Sequence, residues 1–240
     1  MEAVVQLKNI SHQFDERWII NDIDMEVTRG EIFGLLGPSG AGKTTLVKMM
    51  TGILTPTQGE VFVHGEKMPS LNQMKQYGFM AQSDALYQEL TARENLDFFA
   101  SIYHMDKKKK KKRIEEVMDM VDLLQDLDKV VENYSGGMKR RLSLAIALIH
   151  QPDLIILDEP TVGIDPVLRQ SIWNELNHLR DAGVTIIVTT HVMDEAEKCD
   201  RLAMLRNGKV IASDTPDQLK AKINASTIEE VFLHYGEVEV

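Results

Sequence analysis

Apolar and polar positions alternate along the first part of the chain. Val4 to Ile10 alternates, and Ile23, Met25 and Val27 alternate again before the Arg29-Gly30 turn, the period of a half-buried strand. Ile32 to Leu36 is apolar without interruption, as in a strand covered on both faces. Gly37 to Gly42 breaks that run, Thr44 to Met50 reads as helix, and Gly59 to Val63 is a further short strand closed by Gly65. From about Asp84 to Ile149 the period becomes helical. Leu96, Phe99, Ala100 and Tyr103 mark one helix; Ile114, Val117, Met118, Val121 and Leu124 mark a second; Leu142, Ala145, Ile146 and Ile149 mark a third. Leu154 to Leu157 is again a buried strand, and Asp165-Pro166 supplies a cap and a first-turn proline to a helix that Gly183 ends. Val184 to Thr190 is a β-branched strand, Asn207-Gly208 joins Arg201–Leu205 to Lys209–Ala212 as a hairpin, and Thr215-Pro216 begins a helical tail.

This order predicts an α/β core with a mostly parallel sheet, interrupted by an all-helical insertion. A length of 240 residues, with 43% hydrophobic and 27% charged, suits one large domain with a real core and excludes a mainly disordered chain. No run approaches the roughly 18 apolar residues of a membrane span, and no signal-peptide pattern opens the chain. The expectation is a chain that neither crosses a membrane nor enters a secretory route by itself. Cys199 is the sole cysteine, so no internal disulfide is expected, and a reducing compartment suits it. A net charge of -10 argues against nucleic acid as the main partner.

One segment departs from that balance. Residues 107–113, KKKKKKR, hold seven of the 27 basic residues, leaving the rest of the chain 20 against 37 acids. Such a run invites a membrane or nucleic-acid reading. The apolar spacing after it instead makes the lysines the solvated first turns of an amphipathic helix, and they oppose its dipole, which predicts fraying there. The run contains no aromatics, so no stacking platform accompanies it.

The segment with the most chemistry is Gly37-Pro38-Ser39-Gly40-Ala41-Gly42-Lys43-Thr44-Thr45, a G-x-x-x-x-G-K-[ST] loop between a buried strand and a helix start. Its glycines let successive N–H groups turn inward on phosphate oxygens, and the helix dipole adds positive potential. Lys43 offers a point charge to the β- and γ-phosphates, and the Thr44 hydroxyl can ligate Mg²⁺. In Leu154-Ile155-Ile156-Leu157-Asp158-Glu159, four apolar residues place two carboxylates at the C-terminal end of a buried strand, where α/β ligands bind. Asp158 would hold Mg²⁺, and Glu159 would polarise an attacking water as general base. Tyr134-Ser135-Gly136-Gly137-Met138 precedes a helical run and forms a second anion site.

In this order the phosphate loop, Ser-Gly-Gly and the strand ending in Asp-Glu resemble the nucleotide-binding domain of an ABC transporter, from about residue 4 to 216. The resemblance implies a P-loop NTPase (RecA-like) core with an antiparallel β-subdomain and an inserted α-helical subdomain. On that plan residues 1–83 and 150–216 form the core and β-subdomain, 84–149 the helical subdomain and 217–240 a C-terminal tail. It implies ATP and Mg²⁺ as cofactors. Phe14 falls where the family stacks an aromatic on adenine, with Trp18 as a competitor and a core phenylalanine as the plain alternative. Gln82 matches the glutamine that touches Mg²⁺ and the attacking water. Asp165 matches the loop that crosses the dimer interface and also reads as a helix cap. His191 matches the histidine that contacts the γ-phosphate.

In the family two such domains, identical or related, pack head to tail, each ATP lying between one chain's Gly37–Thr44 loop and the other's Ser135–Gly137. The family often has Leu and Gln where this chain has Tyr134 and Met138. Tyr-Ser-Gly-Gly-Met followed by Lys139-Arg140-Arg141, with the tail Thr227 to Leu233, resembles the subgroup that pairs with ABC-2-type membrane subunits, mostly exporters. A second phosphate loop, expected of the soluble ABC proteins of translation, does not follow, and no long coiled coil separates residue 45 from 134. Both those proteins and the chromosome-maintenance ATPases are therefore disfavoured. A dead binding module is disfavoured because Lys43, Asp158, Glu159 and His191 are all present. The expectation is an ATPase that powers export through a separate transmembrane permease. It would be peripheral on the cytoplasmic side of the membrane, docked through the groove near Gln82 and residues 84–103. The rival is a cytosolic ABC ATPase with a soluble partner such as an iron–sulfur assembly scaffold.

Overall fold

The computed structural model describes residues 2–83 and 85–237. The expected start of the helical insertion at Asp84, Met1, and the last three residues of the tail lie outside them. Two long strands, β1 (Ala3–Phe14) and β2 (Arg17–Thr28), pair antiparallel before β3 (Ile32–Leu36) leads into α1 (Lys43–Met50). Then come β4 (Gln58–Val63), β5 (Glu66–Lys67) and β6 (Tyr77–Met80). Three helices follow: α2 (Ala92–Ile102), α3 (Lys107–Met120) and α4 (Gly136–Leu148). The chain closes with β7 (Leu154–Asp158), α5 (Pro166–Asp181), β8 (Thr185–Thr190), α6 (Met193–Ala196), β9 (Arg201–Arg206), β10 (Lys209–Asp214), α7 (Pro216–Ile223) and α8 (Ile228–Glu237).

The strands form an antiparallel sheet in the order β2-β1-β4-β5 and a six-stranded sheet in the order β10-β9-β3-β8-β7-β6. The latter is parallel from β9 to β6, with β10 antiparallel at its edge. Its central strands β3, β8 and β7 are buried along their whole length and mainly apolar, because both faces are covered. Phe33, Leu35, Leu154, Ile156 and Ile187 face α1 and the antiparallel sheet. Ile32, Leu36, Ile155, Leu157 and Val188 face the helical side, with Trp173 of α5 and Leu142 and Ala145 of α4. Helix α4 lies so close to β6 that a Cβ on Gly78 would collide with the Ala147 carbonyl. Parallel pairing brings the C-terminal ends of β3, β7 and β8 to one edge, where the phosphate loop and the acidic pair emerge.

Three features differ from the sequence expectation. Strand β1 continues past Ile10 to Phe14, because register shifts around Asn9, whose φ is 50°, break the alternation without ending the pairing. Strand β6 is only four residues long, too short for its period to be read. The third is the basic run, where fraying was expected and α3 is helical from Lys107. Asp106 precedes it and accepts N–H bonds from Lys108 at 2.9 Å and Lys109 at 3.4 Å, placing a carboxylate at the positive end of the dipole. Lys110 pairs with Asp97 at 2.6 Å and Lys112 with Glu116 at 3.3 Å, which disperses the repulsion further. Arg113 is buried and donates to the Leu148 and Ile149 carbonyls at 2.7 and 3.3 Å, closing the C-terminal end of α4.

Candidate nucleotide site

The loop from Gly37 to Gly42 leaves β3 and turns into α1, with Gly40 at φ 82° and Gly42 at φ 108°. A side chain at Gly42 would also strike Ile20 of β2, so both backbone angle and space demand glycine there. Lys43 is buried and donates to the Gly37 carbonyl at 2.7 Å and the Pro38 carbonyl at 3.1 Å. Burial pulls its ammonium below the ordinary lysine value, while the negative charges of Glu159 and Asp158 act in the opposite sense.

Asp158 ends β7 at 1% exposure, opposite Thr189 of β8. The Thr189 hydroxyl donates to Asp158 Oδ1 at 2.5 Å and accepts the Glu159 N–H at 2.9 Å. Glu159 stands at φ 52°, a conformation that costs a non-glycine residue energy and turns its carboxylate out of the sheet. Three side chains meet that carboxylate. Gln82 Nε2 donates to Oε2 at 3.3 Å, His191 Nδ1 lies 3.2 Å from Oε1, and Lys43 Nζ lies 3.7 Å from Oε1.

A cavity of about 380 Å³ opens beside this cluster, its lining including Phe14, Ser39, Gly40, Gly42, Lys43, Thr44, Thr45, Gln82 and Glu159. A second, of about 310 Å³, shares Thr44 and Gln82 and reaches Asp158. A hydroxyl, a carboxamide and a carboxylate there form an all-oxygen donor set suited to a hard cation such as Mg²⁺. Phe14 is 50% exposed and stands edge-to-face against His12, whereas Trp18, across from Gln13, does not line the cavity.

The residues expected to serve a partner's site or a dimer interface stand apart from this cavity. Ser135 caps α4, its hydroxyl accepting from Met138 N–H at 3.2 Å, and Ser135 and Gly136 face solvent with open space around the Gly136 Cα. Tyr134 points inward and donates to the Asp126 carbonyl at 2.7 Å, and Met138 packs on the helical core. Asp165 caps α5, accepting from Val167 and Leu168 N–H at 3.1 Å each. None of these lines the Lys43 cavity. Two residues were not singled out from the sequence. Thr189 carries a signal in hindsight, a polar residue inside a fully buried strand two positions before His191. Arg140 carries less, a basic residue on the buried face of α4.

Comparison with known proteins identifies the family. The family model described as ABC transporter matches residues 20–162. The chain belongs to the ABC transporter family. As an ATP-binding cassette it is 42% identical over 223 residues to the probable multidrug ABC transporter ATP-binding protein YbhF of Escherichia coli (strain K12), which covers 92% of this chain and 39% of that relative. The cassette therefore spans about two fifths of that relative's length. It is 40% identical over 234 residues to the Nod factor export ATP-binding protein I of Rhizobium sp. (strain N33), covering 96% of this chain and 77% of the relative. A dimeric ATP-binding cassette solved in a post-hydrolysis state with ADP and Pi superposes with a TM-score of 0.82 at 27% identity, covering 88% of this cassette and 98% of that one. Among the described residues no helix is long and apolar enough to cross a membrane.

Proposed function

We propose that this cassette binds and hydrolyses ATP to power export through a separate ABC-2-type transmembrane permease, held peripherally on the cytoplasmic side of the membrane by that partner. The observation that carries the reading is the Glu159 carboxylate, which Gln82, His191 and Lys43 surround at the edge of the phosphate-loop cavity. ATP would lie with its adenine against Phe14 and its phosphates on the N–H groups of residues 37–45. Lys43 would exchange its two carbonyl bonds for phosphate oxygens. Thr44, Gln82 and Asp158 would hold Mg²⁺, which when bound neutralises charge on the phosphates. Glu159 would take a proton from water as its oxygen attacks the γ-phosphorus. The bond to the bridging oxygen then breaks and ADP leaves with that electron pair. His191 would hold the γ-phosphate and the Glu159 carboxylate together.

The exposed Ser135–Gly137 turn, apart from its own chain's cavity, fits a head-to-tail dimer, of two identical or related cassettes, in which it closes the partner's ATP, with Asp165 in the loop between them. The division into core and β-subdomain (1–83 and 150–216), helical subdomain (84–149) and tail (217–240) belongs to this reading. Relatives named for multidrug transport and Nod factor export support a membrane partner over a soluble one. Mixing Lys43→Ala chains with Ser135→Arg chains tests it. Each alone should be inactive, and the mixture should regain turnover through dimers with one intact composite site. No recovery would contradict the shared site.

A further inference from the structure

Arg140 lies buried on the inward side of α4, one and a half turns from Ser135. Its Nη1 donates to the Ala81 carbonyl at 2.7 Å and the Gln82 carbonyl at 2.9 Å. Its Nη2 donates to the Glu159 carbonyl at 2.8 Å and, in a still shorter contact, to the Asp158 carbonyl. Each terminal nitrogen has two hydrogens, so one planar fork engages four main-chain oxygens. Those oxygens belong to two segments that regular pairing no longer joins, since the β6–β7 ladder ends at Met80 and Leu157. Arg140 bridges the strands' exits where the chemistry-bearing side chains begin. It also holds the carbonyl of Glu159, the residue at φ 52° whose N–H rests on Thr189. A left-handed residue persists only where its surroundings over-determine it, and here both ends of Glu159 are held.

We propose that Arg140 is a positioning residue for hydrolysis: it fixes the Glu159 and Gln82 main chain and makes their placement depend on where α4 sits. This rests on the reading of Glu159 as the base. Because α4 begins at the Ser135–Gly137 turn, a movement of that turn on a partner's phosphate reaches this chain's own Glu159 through one side chain. The two ATP sites of a dimer are thereby coupled. Lysine at 140 would keep the charge but offer a single nitrogen that cannot span both pairs of carbonyls.

The test is steady-state hydrolysis and ATP affinity of the full chain as parent, Arg140→Lys, Arg140→Met, Glu159→Gln and the double variant Arg140→Met/Glu159→Gln. The expected result is a kcat reduced ten- to a hundredfold in Arg140→Met and by less in Arg140→Lys. The KM for ATP should stay within twofold in both. The Arg140→Met change should lower the residual turnover of Glu159→Gln by less than twofold. Should Arg140→Met fail to fold, the Arg140→Lys split between kcat and KM decides alone. A folded variant with parental kcat, a KM that rises in step with the loss, or losses that multiply in the double variant would overturn the proposal. A parent that binds ATP but releases no phosphate would instead overturn the reading of Glu159, and this inference with it.

Discussion

The Thr189 hydroxyl lies 2.5 Å from the Asp158 carboxylate and donates to it from the neighbouring strand. Both groups are buried, at 0% and 1% exposure. Thr189→Val keeps the shape and removes the donor, and it also leaves the Glu159 N–H without its acceptor. Hydrogen bonds to charged groups contribute about 1.5–3 kcal/mol, so the melting temperature should fall clearly and turnover with it. Thermal unfolding checks this, and an unchanged melting temperature would contradict it.

Phe14 and Trp18 are alternative partners for adenine in the sequence, but only Phe14 lines the cavity. Stacking of a base on an aromatic contributes about 1–3 kcal/mol. Phe14→Ala should therefore weaken ATP binding by roughly fivefold or more, while Trp18→Ala leaves it near the parental value. Titration with a fluorescent ATP analogue distinguishes the two. Equal effects would put the adenine elsewhere.

The basic run divides into two kinds of residue. Replacing Lys107, Lys108, Lys109, Lys111 and Lys112 with Gln should change stability little, since exposed pairs such as Lys112–Glu116 contribute about 0–1 kcal/mol. Arg113→Met should cost more than all five together, because it strips two carbonyls at the end of α4 of a buried donor. Denaturant midpoints of the two variants check the order.

His150 stacks flat on Tyr103, with ring centroids 3.7 Å apart, and burial lowers its pKa to about 4, with the nearby Arg113 charge acting the same way. The unfolded chain, at the ordinary 6.5, binds this proton more readily than the folded one. The contribution is therefore complete above pH 6.5 and is lost as the pH falls from 6.5 towards 4. The melting temperature should drop across that window, and less steeply in His150→Phe, which keeps the stacking without the titration. Parallel curves for parent and variant would contradict the assignment.

The local parts of the site were legible in the sequence because each is a continuous pattern with a physical reason. Glycines that tolerate positive φ, a lysine at a helix start and carboxylates after an apolar strand need no knowledge of distant contacts. Arg140 and Thr189 were not legible in that way. Their partners are 18 to 59 and 30 to 31 positions away along the chain, and those contacts exist only once α4 and β8 are packed. The basic run shows the opposite failure. Six lysines oppose the dipole there, while the single Asp106 before them caps two N–H groups with a carboxylate. Strand β6 escaped notice because Tyr77–Met80 offers only two positions per face.

On the proposed mechanism, water attacks ATP beside Glu159. The decisive measurement is phosphate release at saturating ATP and Mg²⁺, with ATP affinity from a separate titration, for parent and Glu159→Gln. A positioned general base contributes about 10²–10⁴ in rate, so release should slow by that factor while ATP still binds and ATP-bound dimers accumulate. Parental turnover in Glu159→Gln would rule out Glu159 as the base.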